Sequence, residues 1–226
     1  MSRNQRKGLR KTRDQTRVRK PKLKYYLVFT DTDETEKNYL EGLRNEIPRD
    51  LRRNLVIKIM PKERTEDLVN KCLSVLSKDS QFREPWIVLD YDNRPNFDQI
   101  VESAEKNGIF VAWSNPCIEA WFLAYFGTIP ANQDSQKCCK HFCKVFKEKT
   151  NLGYNRCKKF TESDYKNDKE IYIKLKKFGD EENAFKIIDN KRKEHKRNEI
   201  NKPSEQSPCT QIDLLVKEIR RRIDSV

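Results

Sequence analysis

Four short apolar runs constrain this chain most. They are "KYYLVFTD" (Lys24–Asp31), "NLVIKIM" (Asn54–Met60), "PWIVLD" (Pro85–Asp90) and "IFVAWS" (Ile109–Ser114). Each is β-branched or aromatic and has the length of a strand. Segments with helical spacing separate them. Asp33–Ile47 carries Tyr39, Leu40, Leu43 and Ile47 on one stripe, with acids in its first turn where the helix dipole favours them. Thr65–Lys78 places Leu68, Cys72, Val75 and Leu76 together, and Asn96–Asn107 is followed by Gly108 as a cap. Cys117–Gly127 opens another helix. Strands apolar on both faces, alternating with helices, form parallel sheets covered on both sides. The expectation is a doubly wound, mostly parallel sheet of about four strands over residues 24–127.

The remainder, 128–226, reads as a helical region packed on that sheet, with helices at Gln136–Lys149, Asp164–Phe178, Glu181–Arg197 and Pro208–Ile223. Residues 1–23 read differently. Through Lys24 the chain holds 11 Lys/Arg against one acid, Asp14, or +10 of the net +13, leaving +3 for the body. Such a segment has no aromatic residue, cannot bury a core and reads as a disordered arm. Arg3, Arg6, Lys7, Arg10, Lys11, Arg13, Arg17, Arg19 and Lys20 are its candidate phosphate contacts, acting through counterion release. The alternative is a solubilising tail. No run reaches the ~20 apolar residues of a membrane span. No secretion signal is visible and the seven cysteines are odd in number, so a reduced, cytoplasmic protein is expected.

The third run stops at Asp90-Tyr91-Asp92. Chemistry in open α/β sheets gathers beyond the carboxyl ends of the strands. There the first run ends in Asp31, with Glu34 and Glu36 following, and the fourth in Ser114-Asn115-Pro116, with Glu119 one turn on. In extended backbone Asp90 and Asp92 point the same way, about 6–7 Å apart at Cα. Oxygen ligands without histidine favour Mg²⁺ or Mn²⁺ over Zn²⁺. The bland reading of the pair is a solvated turn. Tyr91 should face away and pack, and Trp113 and Trp121 read as core. "CCKHFC" (Cys138–Cys143) lacks a C-x₂-C pair, and Cys138, Cys139, His141 and Cys143 read as ordinary half-buried thiols and a histidine rather than a zinc site. The basic run Asn190–Ile200 reads as a solvated face or a phosphate-binding strip.

The order "YYLVFTDTDETEKNYLEGL", "WIVLDYDN", "FVAWSNPCIEAWFLAYF" resembles the RloB-like family, prokaryotic proteins with a Toprim-like domain often encoded near restriction or abortive-infection loci. Thr35-Glu36 with Tyr39, Asp90/Asp92, Ser114-Asn115-Pro116 with Glu119 and Trp121, and the closing "PCTQIDLLVKEI" carry the likeness. It implies a metal-dependent nuclease of RNA (tRNA among the targets) or DNA. Asp31, Glu36, Asp90, Asp92 and Glu119 are then the catalytic set, and Asp31, Asp90 and Asp92 the ligands of Mg²⁺ or Mn²⁺. It also implies an ABC- or AAA-type ATPase partner, and the helical half offers a surface for it or for a homodimer. The family's first-strand glutamate and glycine fall on Asp31 and Thr32 here. The shorter side chain sets an oxygen back by about 1 Å, which can cost ~100-fold in rate. A catalytically degenerate binding or scaffold subunit is the competing expectation.

Overall fold

The computed structural model describes residues 24–78, 83–129, 131, 134–150 and 160–225. The basic arm, with its nine candidate cations, lies outside these residues, as does Cys157. Strands β1 (Lys24–Thr30), β2 (Leu55–Ile59), β3 (Arg83–Asp90) and β4 (Phe110–Asn115) are parallel, and β5 (Cys209–Thr210) adds an antiparallel edge. The order is β2-β1-β3-β4-β5. The expected four strands are therefore joined by a fifth, two residues long, from a segment read as the start of a helix. Two residues show no period, so nothing local marks them as a strand.

Strand periodicity explains the continuous apolar runs. Tyr26 and Val28 of β1, Trp86 and Val88 of β3 and Ala112 of β4 enter one core. Leu27, Phe29, Ile87, Leu89, Val111 and Trp113 enter the other. Both faces are covered. Helices α2 (Leu68–Lys78) and α3 (Phe97–Lys106) close the second core, and Tyr91 packs there against Phe97 at 5.2 Å between ring centroids. Gly108, at φ +71°, follows α3 in the left-handed conformation that glycine adopts without cost.

The first core takes α1 (Thr35–Glu46), α4 (Glu119–Tyr125) and the C-terminal helices α5 (Ser135–Thr150), α6 (Glu162–Lys166), α7 (Ile171–Phe178), α8 (Glu181–Arg197) and α9 (Ile212–Asp224). The helix expected over Asp164–Phe178 is thus two helices. The break falls at Asn167–Glu170, where Asp168 Oδ1 accepts the Glu170 N–H at 2.9 Å. A local side-chain acceptor of this kind competes with the helix. Among the described residues no helix is long and apolar enough to cross a membrane.

The C-terminal region returns to β4. Ser114 shares a hydroxyl hydrogen bond with Thr210 at 3.0 Å. Asn115 donates to the carbonyls of Pro203 and Ser204 at 2.9 and 2.8 Å. Arg192 of α8 reaches inward to the fully buried Asp213 of α9 at 2.6 Å and to the Thr210 carbonyl at 3.0 Å. In the basic run Asn190–Ile200, Arg192 is therefore a packing residue, while Lys193, Lys196 and Arg197 are exposed.

Candidate metal-binding active site

The sheet order reverses between β1 and β3: α1 carries the chain outward to β2, and α2 brings it back to β3 on the other side of β1. Such a switch point opens a crevice beyond the strand ends. Here Asp31 follows β1 and Asp90 ends β3. A cavity of about 410 Å³ lies at this place, and Asp31, Glu36, Asp90, Asp92 and Glu119 all line it. Sequence reasoning named these five carboxylates, and the fold brings them together.

Each reaches the cavity by a different route. Asp90 continues the even register of Trp86 and Val88, so it faces the α1/α4 side. Its Oδ2 accepts the Ile118 N–H at 3.0 Å, while its Oδ1 is buried without a hydrogen-bond partner. Burial pushes its pKa well up, and the negative charges of Glu36, Glu119 and Asp92 add to that. Asp92 does not lie on extended backbone, as the D-x-D spacing suggested. Its φ is +43° and that of Asn93 +57°, a left-handed turn that Asp and Asn tolerate better than most residues. The Asp92 N–H donates to the Pro116 carbonyl at 3.2 Å. The two aspartates therefore share the cavity through a turn rather than through strand alternation.

Glu36 stands in the first turn of α1 and is 7% exposed, so its carboxylate serves the cavity rather than the solvent side of the helix dipole. Burial, then the neighbouring Glu119, pushes its pKa up to about 8. Glu119, 3% exposed, begins α4 and accepts the Tyr165 hydroxyl at 2.8 Å. Asp31 is held by two donors: Thr65 Oγ1 at 2.6 Å and the Arg94 guanidinium at 3.2 Å. Burial raises its pKa, and those two partners oppose the rise.

Sequence reasoning missed several residues of the site. Arg94, two positions past Asp92, lines the cavity with Lys166 of α6, Cys117 before α4 and Cys139 of α5. Burial works against the Lys166 ammonium, but Cys139, Glu119, Glu162 and Glu34 outweigh it and hold its pKa above the usual lysine value. Among the described residues one trio of potential metal ligands converges to within 4.8 Å: Cys117, Glu119 and Cys139. Asp31, Asp90 and Asp92, the trio expected from the sequence, do not form such a group, and Asp31 is tied to Thr65 and Arg94. The "CCKHFC" segment does not gather its own cysteines and histidine either. Cys138 and Cys139 are buried and Cys143 is half-buried, and Cys139 meets Cys117 from across the chain.

A mixed five-stranded sheet, a helical C-terminal half and acidic groups at the switch point are consistent with a Toprim-like α/β protein. Residues 26–219 match the family model described as RloB-like protein, and the chain belongs to that family. No curated protein and no solved structure matches it.

Proposed function

We propose that this protein is a divalent-metal-dependent nuclease. It cleaves phosphodiester bonds in RNA, tRNA foremost, or in DNA, as a cytoplasmic effector of a prokaryotic anti-phage or restriction-associated system. The observation that supports this most is Asp90. One of its carboxylate oxygens is buried without a partner and belongs to a side chain lining an open cavity, among further acids that include Glu36, Asp92 and Glu119. Buried charges are ordinarily paired or coordinate metals. An all-oxygen donor set suits Mg²⁺ or Mn²⁺. Asp90 and Asp92 would hold such an ion, Asp31 joining them once it leaves Thr65 and Arg94, with Glu36 and Glu119 orienting its shell.

Bound there, the ion would polarise the phosphoryl oxygen and neutralise developing charge. Glu36, with its pKa near the working pH, is suited to take the proton from an attacking water. As the water oxygen bonds to phosphorus, the P–O ester bond breaks and the departing oxygen takes the proton that Glu36 accepted. Arg94 and Lys166, also lining the cavity, supply positive charge for the non-bridging oxygens. The basic arm would add affinity for the phosphate backbone that falls as salt rises. An ABC- or AAA-type ATPase is the proposed regulatory partner.

The test incubates the full-length protein and an Asp90→Ala/Asp92→Ala double variant with total tRNA, single-stranded RNA and plasmid DNA, in Mg²⁺ or Mn²⁺. Chelator-sensitive cutting by the wild type alone supports the reading and names the polymer. Equal cutting by both proteins overturns it.

One observation favours a second reading. The Asp31 carboxylate is already occupied by Arg94 and Thr65. A catalytically silent subunit that binds nucleic acid or scaffolds an ATPase complex would keep it so. Such a subunit needs no divalent ion at Asp90, so a wild-type protein that neither cuts nor binds Mn²⁺ would select it.

A further inference from the structure

Among the described residues, the group of ligating atoms that converges in the cavity is not the aspartate set. Cys117 Sγ, a Glu119 carboxylate oxygen and Cys139 Sγ lie within 4.8 Å of one another. All three residues are buried, at 3%, 3% and 7% exposure, yet all three line the open cavity. An ion could therefore reach them from solvent. In a tetrahedral zinc site with Zn–S of ~2.3 Å, neighbouring donors stand about 3.8 Å apart. The donors here need to close by about 1 Å at most.

A further feature fits a ligand set. The Tyr165 hydroxyl donates to Glu119 Oε1 at 2.8 Å, which fixes the carboxylate in the way outer-shell partners orient metal ligands. Sulfur donors also set the chemistry. Thiolates select zinc-class cations and are poor ligands for Mg²⁺.

We propose that Cys117, Glu119 and Cys139 form a second cation site, specific for Zn²⁺ or a similarly soft divalent ion, with its remaining coordination position facing the cavity. It would stand beside the oxygen-ligand site of the nuclease reading and share Glu119 with it. It does not require that reading. A zinc-class ion there would tie α5 to the start of α4 across one wall of the cavity.

The test is cobalt titration of the full-length, reduced, chelator-treated protein. The site predicts a thiolate-to-cobalt charge-transfer band that saturates near one equivalent and is displaced by Zn²⁺. Cys117→Ser and Cys139→Ser each abolish the band, and Cys143→Ser leaves it intact. Asp90→Asn also leaves it intact while weakening Mn²⁺ binding, followed by electron paramagnetic resonance, so the two sites fail separately. Thermal unfolding of the wild type with and without one equivalent of Zn²⁺ gives a readout independent of the variants, with a rise of several degrees expected. A wild type that shows neither band nor Zn²⁺-dependent stabilisation overturns the proposal. So does a band that survives in folded Cys117→Ser or Cys139→Ser protein.

Discussion

Asp90 accepts the backbone N–H of Ile118 through Oδ2 at 3.0 Å, and this bond fastens the end of β3 to the entry of α4. The other oxygen of the same carboxylate is buried with no partner. One side chain therefore has a structural half and a half available to a ligand, and substitutions can separate them.

Asp90→Asn keeps an oxygen for the Ile118 N–H and removes the charge. Without divalent ions this variant should be at least as stable as wild type, because like charge from Glu36, Glu119 and Asp92 no longer opposes it. Its affinity for Mn²⁺ should fall by about 100-fold or more. Asp90→Ala also loses the Ile118 bond and should unfold about 1–2 kcal/mol more easily than Asp90→Asn. Urea unfolding with chelator present, paired with Mn²⁺ titration, checks both halves.

The pH dependence has a definite sign. Burial and Glu119 raise the Glu36 pKa to about 8 in the folded chain, against ~4.3 for an unperturbed glutamate. Between these values the folded state holds the proton more firmly than the unfolded state. Stability in chelator should then fall as pH rises from about 5 to about 8 and level off beyond. Glu36→Gln should flatten that slope, and saturating Mg²⁺ or Mn²⁺ should reduce it in the wild type. Glu46, Asp189 and Glu218 act oppositely: basic partners hold their pKa values down against burial, and their contribution is lost as pH falls below ~4. Unfolding midpoints from pH 3 to 9 resolve the two windows.

Glycine 42 reverses a common rule. Gly→Ala inside a helix ordinarily stabilises by up to about 1 kcal/mol. A Cβ on Gly42 of α1 would collide with Cβ of Tyr172, which packs on it from α7. Gly42→Ala should therefore destabilise, by about 1–3 kcal/mol. Thermal or urea unfolding of the single variant reads the sign directly.

Arg192 tests which part of the basic α8 run is structural. Asp213, its partner, is fully buried. Removing one member of a buried pair strands the other, so Arg192→Met should cost about 3 kcal/mol, moderated by Lys217, which lies 3.1 Å from Asp213. Lys193→Ala and Lys196→Ala, on the exposed side, should change stability by less than about 0.5 kcal/mol. A matching loss at all three positions in urea unfolding would contradict this division.

Much of this architecture is written locally. The parallel strands could be read because strands buried on both faces show as apolar runs, and β1, β3 and β4 alternate residue by residue between the two cores. The acidic residues could be read because each sits at a strand end or a helix start. The left-handed turn at Asp92 could not, since the same D-x-D also suits extended backbone. Nor could β5, whose pairing to β4 depends on Ser114 and Asn115 reaching residues nearly a hundred positions away. The meeting of Cys117 with Cys139, and of Asp31 with Arg94, arises from tertiary packing and has no periodic signal. Tyr39 and Trp121 were legible as core residues. That the Trp121 indole donates to the Tyr39 hydroxyl at 2.8 Å, joining α1 to α4 behind the cavity, emerges only in the fold.

The carboxylates at the β1/β3 switch point are proposed to hold a catalytic divalent ion. Anomalous scattering from a crystal of the full-length protein grown with Mn²⁺ tests it most directly. The account predicts a manganese peak within coordinating distance, about 2.2 Å, of Asp90 Oδ1, absent from Asp90→Asn crystals. Manganese bound elsewhere in the cavity, or an Asp90 carboxylate without metal at saturating Mn²⁺, would contradict it.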